Sequence, residues 1–290
     1  LLTLAATVVA LASGSGVAQA KTIKASNGIK IPSHPTRIVS LSPSATDDLY
    51  TVGAGKQVIG VDSYSIYPKG TPVKKDLDAL SPNAEAIYHR YKPDLVIIYY
   101  NANRIEGQLA KLKIPVLFES APNNLAGAYA QLATIGRVTG HAQAGNTAVA
   151  KLKRQVKQVA ASVKKPKKTL KVYLEIEEPG NWAATSKTFL GGMLSLFHLR
   201  NIADGGAKGQ QYPELNSEYI LNHDPQMIFT SDGQSLKQVA ARPGWSVLSA
   251  VKHDDVFKLN DWIGSDWFPY AITRFMRLAA ADVTRVEKQQ

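Results

Sequence analysis

Hydrophobic positions along the chain fall into two alternating patterns. Short runs that are almost wholly apolar, at Arg37 to Leu41, Gln57 to Val61, Asp94 to Tyr99 and Pro115 to Phe118, read as buried strands. Between them, apolar residues recur every three or four positions over 83–91, 102–112 and 124–138, which predicts helices. The alternation restarts downstream, with strands expected over 169–176, 226–231 and 256–259. Helices are expected there over 188–197, 218–222, 246–251 and 270–287. A β/α series of this kind implies an α/β fold with mainly parallel sheets covered on both faces.

One long amphipathic stretch, Gln143 to Lys168, separates the two series. Val149, Leu152, Val156, Val159 and Val163 form a single stripe on a helix expected to begin near Gly145 or Asn146 and to stop before Pro166. Such a helix is roughly 30 Å long at 1.5 Å per residue. The organisation expected is a leading segment 1–20, an N-terminal α/β lobe 21–140, an interlobe helix 141–166 and a C-terminal α/β lobe 167–290. An internal echo links the lobes. Asn83-x-Glu85-x-Ile87 precedes Lys92-Pro93-Asp94, and Asn216-x-Glu218-x-Ile220 precedes Asp224-Pro225-Gln226, each a short helix turning through proline into a strand. The glutamate-to-proline gap differs by one residue.

Charge changes the picture locally. The formal net charge is +11, and eight of the basic residues (Lys151, Lys153, Arg154, Lys157, Lys164, Lys165, Lys167, Lys168) lie in the central stretch, leaving about +3 elsewhere. No aromatic is interleaved among them, so no nucleic-acid partner is expected. Residues 1–20 run from an apolar block to Ala18-Gln19-Ala20, the pattern of a signal peptide cleaved after Ala20. That block is shorter than the roughly 20 apolar residues of a permanent span. The sequence contains no cysteine, so no disulfide, thiolate metal site or lipidated cysteine is expected, and the periplasm is the expected compartment of a monomeric protein.

Candidate chemistry is mostly aromatic. Tyr64, Tyr67 and Trp182 fall in predicted loops, where rigid aromatic faces suit a large planar ligand. Tyr99 and Tyr100 offer adjacent phenols that suit ferric iron with a carboxylate, provided the strand has ended, since strand neighbours face opposite ways. The six histidines show no paired metal spacing, and no metal site is expected. No nucleophile elbow, phosphate loop or paired metalloprotease histidines occur, so no enzyme is expected. Glu175, Glu177 and Glu178 are the carboxylates a hydrolase would have to use, and they are expected to be solvated.

Taken in order, Arg37–Leu41 with Ser42-Pro43-Ser44-Ala45-Thr46, Val61–Pro68, Lys92-Pro93-Asp94, Asp224-Pro225-Gln226 and Ser265-Asp266-Trp267-Phe268 with Arg274 resemble a known family. It is that of the substrate-binding proteins of ABC importers for cobalamin, ferric siderophores and haem. The final motif is most similar to the cobalamin-binding members. The resemblance spans almost all of residues 33–285. It implies two lobes joined by one long helix, with the ligand in the cleft between them, no cofactor beyond a metal-chelate cargo, and delivery to a permease dimer with its ATPase. The cleft residues it implies are Pro43, Ser44, Ala45, Tyr64, Tyr67, Tyr99 and Tyr100 from the first lobe. From the second lobe it implies Trp182, Tyr212, Asp266, Trp267 and Tyr270. Glu85 and Glu218 are implied as permease-docking residues, although acids at helix starts are also favoured by the helix dipole. Tyr99 and Tyr212 stand where the cobalamin binders place tryptophan, and Tyr270 where they place arginine.

Overall fold

The structure, a computed structural model, describes residues 24–259 and 266–289. The proposed signal peptide and Ser265 lie outside the described residues. In the first lobe β1 (Ile38–Leu41), β2 (Val58–Val61), β3 (Leu95–Ile98) and β4 (Val116–Phe118) form an all-parallel sheet in the order β2-β1-β3-β4. Helices α1 (Pro43–Thr51), α2 (Ala84–Tyr91), α3 (Ile105–Lys111) and α4 (Leu125–Val138) connect and follow the strands. After the long α5 (Ala142–Ser162) come β5 (Lys171–Glu177), β6 (Trp182–Ala183), β7 (Arg200–Asn201), β8 (Met227–Thr230) and β9 (Val256–Lys258). They pair as β6-β5-β8-β9 with β7 also on β5, and only β6 runs antiparallel. The second lobe's helices are α6 (Phe189–Ser195), α7 (Ala203–Gly206), α8 (Ser217–His223), α9 (Leu236–Ala240), α10 (Ser249–Lys252) and the closing α11 (Pro269–Lys288).

Helix starts follow from side-chain caps. Ser42, Asn83, Asn124, Thr188, Asn216 and Ser235 each accept a hydrogen bond from a backbone N–H three residues on. The internal echo becomes one construction built twice. α2 and α8 each begin at a capping asparagine and end at a left-handed residue, Lys92 or Asp224, before the proline turn. The extra residue between glutamate and proline in the first copy lies within α2, which has eight residues against seven in α8.

α5 departs from expectation at its ends, starting at Ala142 and ending at Ser162. Gly145 is inside the helix, where it meets α4 backbone to backbone. A Cβ on Gly136 would sit 2.9 Å from the Gly145 Cα, and one on Gly145 would sit 3.1 Å from the Gly136 Cα. Gly140, at φ +80, makes the turn between the two helices. The expected stripe is the buried face. Leu152 and Val156 are buried, Val149 and Val159 partly so, and Val163 is buried just past the helix end. They join one apolar cluster that runs from Leu49, Ile97 and Leu132 of the first lobe to Leu174, Phe229 and Phe275 of the second. Each lobe has a further cluster on its outer sheet face, around Val96 and Ile87 in one and Tyr173 and Trp245 in the other. Both sheets are therefore covered on both faces. β6, β7, α7 and α9 carry too few residues for periodicity to reveal them.

Candidate ligand-binding site

The parallel strands of the first lobe finish at a common edge, and the turns beyond them supply the site. After β1, Ser42 caps α1, and a hydroxyl cluster follows in which Thr46 Oγ1 lies 2.9 Å from Ser40 Oγ and 3.0 Å from Ser65 Oγ. This cluster fixes the α1 start against the loop after β2. Ser44 then reaches the second lobe. Its hydroxyl lies 3.5 Å from Asp266 Oδ1 and accepts a hydrogen bond from the Trp267 N–H at 3.2 Å. Aromatic rings meet along the same seam. Tyr67 stacks on Tyr270 at 4.8 Å and on Phe268 at 5.6 Å, while Tyr99 meets Trp267 edge-on at 6.5 Å.

The structure thus brings Ser44, Tyr67, Tyr99, Tyr100, Asp266, Trp267 and Tyr270 into one interlobe cluster, with Tyr100 6.5 Å from Tyr99. Tyr64 lies close enough to Tyr99 for its phenol to act on the Tyr99 pKa, and it is 49% exposed. Pro43 opens α1 beside Ser44, whereas the Ala45 side chain is buried in the main apolar cluster and its N–H is used on the Ser42 cap. Trp182 and Tyr212 sit together at the β6 edge, where Ala183 N–H donates to the Pro213 carbonyl and Trp182 bridges Glu214. Tyr99 and Tyr100 both lie beyond the end of β3, so the alternation of a strand does not separate them.

Acids withdrawn from water give the site its electrostatics: Asp266, expected from sequence, and Asp47 and Asp62, which were not among the expected site residues. Burial pushes Asp47 up to about 7, helped by the nearby charge of Asp266 and opposed by a hydrogen bond from Thr51. Burial likewise raises Asp266 to about 7, with the Asp62 charge adding and the Ser44 hydroxyl opposing. Asp62 is raised to about 6 by burial, although Ser65 donates to it, and its second carboxylate oxygen has no partner among the described residues. Burial and these carboxylates push the Tyr99 phenol up as well. The signal that could have found Asp47 and Asp62 is an acid placed within a few residues of the end of a predicted strand.

The carboxylates considered for hydrolysis are otherwise employed. Glu175 is not solvated but fully buried, and Arg242 grips both its oxygens at 2.6 Å while lying over the Trp245 ring at 4.5 Å. Glu178 lies 4.0 Å from the same guanidinium, and Glu177 is exposed. The cluster ties β5 to the turn after α9. Glu85 and Glu218 are both exposed in the first turns of α2 and α8, and Glu85 lies 3.4 Å from His89. Among the described residues no group of three or more metal-binding side chains is placed to hold an ion, and no helix is long and apolar enough to cross a membrane.

A two-lobed α/β body with one spanning helix and an aromatic, carboxylate-bearing seam is the architecture of the periplasmic solute-binding proteins. Residues 38–261 match the periplasmic binding protein family, and the chain belongs to it. It is 29% identical over 239 residues to an uncharacterized ABC transporter substrate-binding lipoprotein of Bacillus subtilis, covering 80% of this chain and 75% of that protein. It is 27% identical over 261 residues to the vitamin B12-binding protein of Pectobacterium atrosepticum, covering 86% and 87%. Among solved structures it is similar to a possible iron-binding periplasmic solute-binding protein of Staphylococcus epidermidis. That match has 25% identity, a TM-score of 0.76 and coverage of 86% of this chain and 98% of that one.

Proposed function

We propose that this protein is an exported solute-binding component of an ABC importer and that its cargo is a corrinoid such as cobalamin, held in the interlobe seam and released to a membrane permease. The observation that supports the choice of cargo is the group of carboxylates withdrawn from water, Asp47, Asp62 and Asp266, among the aromatic rings of the seam. Haem propionates and many siderophores are anionic, and a desolvated carboxylate beside them is repulsive unless a cation intervenes. A corrinoid instead presents a broad apolar ring system, which suits stacked aromatics, and peripheral amide N–H groups, which a carboxylate accepts. Asp266 is the proposed acceptor at the centre. Ser44, Tyr64, Tyr67, Tyr99, Trp267 and Tyr270 would enclose the ring, with Trp182 and Tyr212 reaching from the β6 edge. Glu85 and Glu218, exposed at matching places in the two lobes, would dock on the permease as a pair.

A second reading has its own support. Tyr99 and Tyr100 both follow the end of their strand beside Asp62, which suits ferric iron or a ferric chelate. Incubation with cyanocobalamin, haem or a ferric siderophore followed by gel filtration separates the two. The corrinoid spectrum should elute with the protein. Elution with haem or iron absorbance alone would favour the second reading.

A further inference from the structure

The charge of this chain is spatially divided. No aspartate or glutamate occurs from residue 120 to residue 174, whereas α5 and the segment after it carry the eight central lysines and arginines, all exposed. On α5, Lys151, Lys153, Arg154 and Lys157 occupy the side away from the buried stripe, three and four residues apart. Like charges at those spacings weaken a helix, where a glutamate would strengthen it. None of the eight has a carboxylate within the 4.0 Å of a salt bridge among the described residues.

The basic face deepens into a groove. Beyond α5 the chain is pinned by buried Val163, Pro166 and Leu170, leaving the lysines between them exposed beside α11. Two cavities of about 590 and 560 Å³ adjoin there and share Ser162, Thr284 and Lys288. Lys164, Lys167 and Lys168 line one and Arg277 the other. Glu287 is the single acid in these walls, and Arg285 is held to Asp255 at 2.7 Å. Val159 and Ala280 line one cavity and Leu170 the other, so the walls between the cations are partly apolar.

We propose that this face, centred on the α5–α11 groove, docks the protein on an anionic lipid bilayer, with phosphodiester headgroups entering the groove. Cations strung along a helix and an adjoining groove match phosphates spread over a surface, and polybasic segments are attracted to anionic leaflets in proportion to their lysines and arginines. A nucleic-acid face would interleave aromatic rings for stacking. Here Tyr129, a ring of α4, lies under the Lys153 ammonium at 5.3 Å. The α5–α11 groove shares no lining residue with the seam, although Lys151 of the helix face also lines a cavity with Asp47, Tyr67 and Tyr270.

The test is co-sedimentation of the protein beginning at Lys21, after the expected cleavage, with vesicles of phosphatidylglycerol and phosphatidylcholine at about 3:7, or of phosphatidylcholine alone, at about 50 mM and about 500 mM salt. Sedimentation should require phosphatidylglycerol and disappear at the higher salt. The variant K164Q/K167Q/K168Q/K288Q should partition about tenfold more weakly or less still, with unchanged circular dichroism and Tm. K151Q/K153Q/R154Q/K157Q, on the helix alone, should weaken partitioning to a smaller extent. Equal binding to neutral vesicles, no binding at low salt, or full binding by the first variant would overturn the proposal. So would tighter binding to duplex DNA than to the anionic vesicles. No cargo enters the readout, so its failure is distinct from failure of the corrinoid reading.

Discussion

Asp266 is raised to about 7 because it is withdrawn from water with a second carboxylate, Asp62, nearby and, among the described residues, a single serine hydroxyl to support its charge. An acid whose folded pKa lies above its unfolded value binds a proton more readily when folded. It therefore detracts from stability as pH rises from the ordinary carboxylate range through about 7, and the detraction vanishes below that range. Asp47 and Asp62 act with the same sign up to about 7 and about 6. A cargo that donates amide hydrogens stabilises the ionised form and so binds better on the alkaline side. Cobalamin affinity measured by calorimetry should weaken as pH falls from about 8 to about 5.5. Asp266→Asn should lower affinity roughly tenfold at the upper pH and flatten the profile, since hydrogen bonds to a charged group contribute about 1.5–3 kcal/mol. A variant with wild-type affinity and pH profile would remove Asp266 from the site.

At the scale of elements, α5 was legible in its stripe but not in its ends. Its apolar spacing located the buried face, yet Gly145, read as a start, is a contact point with Gly136 of α4 that no single-helix pattern encodes. Gly136→Val should force the two helices apart and lower stability by about 1–3 kcal/mol, seen as a fall in Tm; an unchanged Tm would contradict the close approach. Strands flanked by proline turns were legible because buried parallel strands are nearly continuous apolar runs. The two-residue strands at Trp182 and Arg200 were not, since their pairing is set by contacts distant in sequence. The paired constructions of α2 and α8 were visible as an echo, and each leaves one exposed glutamate in its first turn. Glu218→Arg should leave cargo affinity unchanged and abolish cargo uptake through the cognate permease. Normal uptake by the variant would exclude the docking role.

Across the whole molecule, one apolar cluster joins the lobes through α4, α5, α6 and α11, while the seam carries acids and the opposite charge gathers on α5 and the segment after it. The aromatic members of the site were legible as residue types in loops. Their meeting across the seam was not, because Tyr67 and Tyr270 are brought together only by the packing of both lobes on α5. The acids Asp47 and Asp62 escaped notice because single carboxylates after strands are common and only their burial distinguishes them. Charge at the seam is what divides a corrinoid from an anionic chelate, and calorimetric titration of the purified protein with cyanocobalamin and with haem tests that division most directly. One molecule of cyanocobalamin should bind per chain, and much more tightly than haem. Tight haem binding with no heat from cyanocobalamin would contradict the account.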